Sequence, residues 1–119
     1  MEKVTGIGGL FFRSRNTDAL KEWYAAHLGV THYPNVWEQQ TGPTVLEPFA
    51  QNTDYFGRPE QQWMINFRVS DLDAMIGQLE AAGIEVETRA EWDSEIGRFA
   101  RIHDPEGNPI ELWEPGAIG

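Results

Sequence analysis

Two stretches of this chain follow one plan at an offset of 55 residues, and that repeat limits the available folds more than any other feature. Phe12-Arg13 recurs as Phe67-Arg68, Asn16 as Asp71 and Asp18 as Asp73. Each copy runs from a β-like segment to a capping residue, a helix and a glycine. In the first copy GIGGLFFRS leads to Asn16 or Thr17, then TDALKEWYAAHL, then Gly29. In the second, QWMINFRVS leads to Ser70 or Asp71, then LDAMIGQLEAA, then Gly83. Short polar side chains cap helix starts, and glycine takes the left-handed conformation that ends them. Leu20, Trp23, Tyr24, His27 and Leu28 fall on one face of the first helix, and Leu72, Met75, Ile76 and Leu79 on one face of the second.

Short β-like runs follow each helix, punctuated by Pro, Gly, Asn and Asp. The first half offers VTHYP, VWEQQ and TVLEPF, and the second IEVETR, RFARIH and PIELWE. The order predicts an α+β fold of two βαβββ modules, about residues 1–60 and 61–119 of a single domain. One helix per module covers one face of its sheet. The other face is covered by something else or lines a cleft.

Charge and composition remove several function classes. Nineteen acidic residues against nine basic ones give a net charge of −10, which disfavours nucleic acid and anionic membrane surfaces as partners. No cysteine is present, so thiolate metal sites and cysteine nucleophiles are excluded. No apolar run approaches the length of a membrane span, and MEKVTGIGG lacks a signal-peptide core, so the cytoplasm is the expected location. The five Trp, six Phe and three Tyr serve equally as core or as pocket lining.

Three stretches carry a family resemblance. They are GLFFRSRNTDALKEWYAAHLGV, WMINFRVSDLDAMIGQLEAAGIEV and, most specific, GRFARIHDPEGNPIELWEP with its DPxGNxIEL signature. With them the chain resembles the vicinal oxygen chelate superfamily of glyoxalases, bleomycin-resistance proteins and extradiol dioxygenases. The resemblance implies paired modules forming a curved mixed sheet whose concave cleft holds a metal on His, Glu or Gln at four positions. These fall on Gly9 and Met64 in the opening strands and on Glu47 and Glu111 in later strands. Glycine cannot ligate, and a thioether is a poor partner for hard divalent ions. Glu47 and Glu111 remain as the catalytic and metal candidates, for a weakly held divalent ion at most. No cofactor is otherwise expected.

Strand alternation sorts the remaining candidates. Trp63, Ile65, Phe67 and Val69 turn to the helices, as do Ala100, Ile102, Ile110 and Leu112. The opposite face takes Phe11, Arg13, Met64, Asn66, Arg68, Arg101, His103, Glu111 and Trp113. Phe11, Arg13, Trp37, Met64, Asn66, Arg68, Arg101 and Trp113 are the ligand-binding candidates. Arg13, Arg68 and Arg101 stand as expected ion-pair partners for Glu47 and Glu111, with one free for an anion. Residues 51–62 read as a connector between modules rather than a lid.

The function expected is metal-independent binding of a small organic ligand, anionic or aromatic, by a homodimer. The alternative is a lyase, isomerase or dioxygenase with a weak divalent site on Glu47 and Glu111. Whether the chain is an enzyme stays open at this level.

Overall fold

A computed structural model describes residues 1–31 and 36–116. Helix α1 spans Thr17–Leu28. Asn16 caps it, its side chain accepting from the Ala19 amide at 3.1 Å, and Gly29 ends it at φ 71°. Helix α2 spans Leu72–Ala81, capped the same way by Asp71 on the Ala74 amide at 3.0 Å. Three strands complete the regular structure: β1 (Ile65–Arg68), β2 (Gly97–His103) and β3 (Pro109–Pro115). β3 lies between the others, parallel to β1 and antiparallel to β2. An isolated bridge from Glu87 to Arg101 sets the 84–89 run beside β2.

The expected core face holds in β1, β2 and β3 and fails in the first opening run, which forms no strand and leaves Leu10 and Phe12 exposed. Ala100, Ile102, Ile110 and Leu112 are fully buried, and they meet Leu72 and Leu79 of α2 and Leu20 and Tyr24 of α1. Ile65, Phe67 and Val69 pack at the margin of this core. The α+β class is as expected, and the sheet is mixed.

The strands fall in the second half only. Among the described residues, none of the first-half β-like runs enters a ladder. VTHYP lies mostly outside them, since residues 32–35, His32 included, are not described. The physical reason is visible in the side chains. Phe11 is 94% exposed and Leu46 87%, so these side chains have no apolar surface beneath them, and among the described residues no neighbouring strand pairs with their backbone. An isolated β-like run has little to hold it extended.

The DPEGN turn fastens α1 to the sheet. Asp104 is buried, and its carboxylate accepts from the Tyr24 hydroxyl at 2.8 Å, the Glu106 and Asn108 amides, and the Asn108 side chain. Burial, and next the bond to Asp104, push the Tyr24 phenol far above its ordinary range, so it stays a donor. Glu106 reaches back across the chain and accepts from Ser14 Oγ at 2.7 Å and from the Arg15 and Asn16 amides at 2.8 and 3.2 Å.

These donors favour the charged carboxylate of Glu106. Its pKa is lowered, first by the Arg15 amide and then by the Ser14 hydroxyl. A carboxyl whose folded pKa lies below its unfolded value stabilises the fold above the unfolded value, and loses that contribution as pH falls through the folded one. The entry to α1 is therefore expected to loosen below pH 4.5, the ordinary value. Amide exchange at Arg15 and Asn16 reports it. In Glu106→Gln the acid acceleration should vanish; its persistence would place the acid-sensitive contact elsewhere.

Candidate ligand-binding site

The sheet face away from the helices gathers part of the expected site. Arg101 of β2 and Glu111 of β3 lie opposite one another in register, and Glu111 also pairs with Asn66 of β1. Period-two alternation puts these three side chains on one face, with Ile110 and Leu112 in the core behind. Asn66 Nδ2 donates to Glu111 Oε1 at 2.7 Å. The second oxygen of Glu111 accepts from the Tyr55 hydroxyl, brought in by the 51–62 connector. Burial, and then this bond, push the Tyr55 phenol up to about 12, so it is a neutral donor at ordinary pH.

Arg101 does not pair with a carboxylate. Among the described residues the ion pairs are Arg58–Glu60, Arg89–Glu87 and Arg98–Asp73. Only 8% of Arg101 is exposed. Its guanidinium lies over the Tyr55 ring at 4.8 Å and near the Trp92 ring at 5.6 Å. One Nη donates to the Tyr55 carbonyl at 3.0 Å, and the buried Nε has no partner among the described residues. The two rings offset part of the desolvation of the cation, each by about 1–2 kcal/mol in a dry setting. An unpartnered N–H on a buried cation remains costly.

The aromatic residues extend this centre. Phe49 stacks on Tyr55 at 5.7 Å and 17°, and Trp92 meets the Tyr55 edge at 6.4 Å. Further along the face, Phe99 and Trp113 stack at 6.2 Å and 3°. The Trp113 indole donates to the Ile96 carbonyl at 2.9 Å, which fixes it as a wall. That approach requires Gly97, at φ 140°, where an added Cβ would stand 2.5 Å from Trp113 Nε1.

Other candidates lie apart from this centre. Arg68 turns to the 40–44 loop and donates to the Gln40 and Pro43 carbonyls and Thr44 Oγ1. Arg13 and Glu47 are exposed and join no ion pair among the described residues. Phe11 projects outward. Trp37 is partly exposed with its ring against Phe67 at 5.9 Å, and Met64 is half-buried. Sequence reasoning did not single out Phe49 or Trp92. Trp92 sits in a short 3-10 turn, Ala90–Trp92, which no periodicity marks.

The donor set does not suit a metal of the kind the resemblance implies. Both oxygens of Glu111 are engaged by protein donors, and Gly9 and Met64 stand where imidazoles would be needed. A side chain at Gly9 would meet the Phe11 ring at 3.2 Å. Among the described residues no three His, Cys, Asp or Glu side chains converge as a ligand group.

Comparison with known proteins agrees with this architecture. Residues 9–113 match the model of the glyoxalase-like domain. The chain is similar in fold to the crystal structure of TnmS3, an antibiotic-binding protein from Streptomyces sp. CB03234. The identity is 20%, the TM-score 0.65, and the match covers 98% of this chain and 100% of that one. No curated protein matches the sequence.

Proposed function

We propose that this chain, which belongs to the glyoxalase-like domain family, binds a small aromatic molecule without a metal and orients it with Arg101. One observation carries the reading: a buried guanidinium with an unpartnered Nε, paired with aromatic rings rather than a carboxylate. Such a cation favours a π face and an oxygen-bearing, anionic group. The antibiotic-binding activity named for TnmS3 is a small-molecule function on a similar fold, which supports the class of function and not the ligand. In this reading the working unit is a homodimer and the role is sequestration. Glu111, held by Asn66 and Tyr55, keeps the Tyr55 ring in place under the Arg101 guanidinium.

Thermal shift with a panel of aromatic carboxylates tests the proposal. Members of the panel should raise the melting temperature of the wild type by several degrees, following mass action. Arg101→Met keeps the length of the side chain and removes the cation, and should abolish the shift. A shift that survives in Arg101→Met would sink the role given to Arg101. Saturable binding that requires added manganese, nickel or zinc would replace sequestration with the metal-dependent alternative on Glu47 and Glu111.

A further inference from the structure

Tyr55 is held as a bound phenol would be held. Its ring stacks on Phe49, meets Trp92 edge-on and lies under the Arg101 guanidinium. Its hydroxyl donates to Glu111, whose other oxygen is fixed by Asn66. The five surrounding side chains come from the 49 position, the 3-10 turn and all three strands; Asn66, Trp92, Arg101 and Glu111 lie outside the segment that carries Tyr55, while Phe49 also packs on Phe56 of that segment at 5.1 Å.

That segment is lightly tied down. The backbone hydrogen bonds of the connector are local: Thr53 to Ala50, Gly57 to Asp54 and Gln61 to Arg58. The side chains of Arg58 and Gln61 also bond within it or to the Trp63 carbonyl. Its hydrogen bonds to the sheet are the Tyr55 hydroxyl on Glu111 and the Tyr55 carbonyl on Arg101. Withdrawing one residue opens the cage and frees a second Arg101 N–H.

We infer that Tyr55 is an internal stand-in for the ligand, and that the site takes a single-ring phenol which displaces it. The inference rests on the small-molecule reading above and narrows its ligand class. Glu111 sets the requirement. With one oxygen held by Asn66, the other is an acceptor that must meet a donor, and an ether or carboxylate at that position would leave it unpaired or repelled. The ring face is set by Arg101 and the aromatic walls, which favour an electron-rich ring.

The probe is p-cresol, which is the tyrosine side chain itself, with p-methylanisole as the matched compound that cannot donate. Binding is read by calorimetry and by Trp92 fluorescence, with Trp92→Phe as the signal control. The wild type should bind p-cresol saturably, and Tyr55→Ala about tenfold more tightly, as expected where the closed form holds about nine-tenths of the molecules. p-Cresol should also restore the melting temperature that Tyr55→Ala loses, and p-methylanisole should not. Tyr55→Phe keeps the stacked ring and gives up Glu111, so it should fall between the other two.

Two results would overturn the inference: equal affinity of wild type and both variants for p-cresol, or p-methylanisole binding as well as p-cresol. Either leaves the small-molecule reading standing if aromatic carboxylates still bind through Arg101. If no aromatic compound binds any variant in a way that depends on Arg101, the small-molecule reading falls as well.

Discussion

Asp104→Ala is expected to cost on the order of 3–5 kcal/mol of folding stability, because it strands several donors at once. The carboxylate serves the Tyr24 hydroxyl, two backbone amides of its own turn and the Asn108 side chain. It does so at 4% exposure, where water cannot readily replace it. Each stranded buried donor costs about 1–3 kcal/mol, and relaxation of the turn recovers some of that. Small domains hold only about 5–15 kcal/mol, so the variant should melt at least about 10 °C lower or fail to fold.

Tyr24→Phe is the informative partner. It removes one donor and leaves the turn intact, so it should cost only about 1 kcal/mol. Chemical denaturation of the two variants decides the matter. Equal losses would mean that the Tyr24 contact alone matters and the turn holds itself together. A much larger loss in Asp104→Ala would mean that the DPEGN turn is the joint on which α1 docks. The signature residues of the family would then have a mechanical reading in this chain. Asp104 ties the turn and Tyr24 together, and Glu106 ties the start of α1.

What the sequence reveals follows the range of the interaction involved. Both helices are legible because caps and stops are local: Asn16 and Asp71 cap, and Gly29 and Gly83 take positive φ just beyond the helix ends. The second-half strands are legible because alternation separates Ile110 and Leu112 from Glu111 and Trp113. Glu111, Asn66 and Arg101 are brought together as alternation requires. Their partners are not legible. A carboxylate and an arginine in register suggest an ion pair, yet Glu111 takes Tyr55 and Asn66, and Arg101 takes aromatic rings. Tyr55 arrives from 46 residues before Arg101 and 56 before Glu111, on a segment with no pattern of its own. The first-half runs fail for a related reason. Their composition favours strands, but a strand also needs a neighbour, and composition does not supply one.

The second large effect concerns that missing neighbour. The chain exposes 9118 Å², against about 6,500 Å² for a compact monomer of this mass. Its radius of gyration is 15.0 Å, where about 13.5 Å suits this length. Among the described residues, eleven of the twelve exposed large hydrophobic side chains lie within the first 50 residues, Phe11, Val45 and Leu46 among them. Exposed apolar side chains in such number are a mark of interfaces, and a standard interface needs only about 800 Å² from each partner. A second copy of the chain is the occupant that fits the proposed homodimer, because a two-fold contact sets the same apolar surface against itself. Sedimentation at micromolar concentration should give a dimer for the wild type. Phe11→Asp combined with Leu46→Asp should give a monomer, with the affinity lowered at least a hundredfold, since burying two unpaired carboxylates per chain costs several kcal/mol. α1 and the three-stranded sheet do not use either side chain in their core, so the monomer should keep its far-ultraviolet signature. A wild type that still sediments as a monomer at 100-fold higher concentration, about 0.1 mM, would refute the dimer.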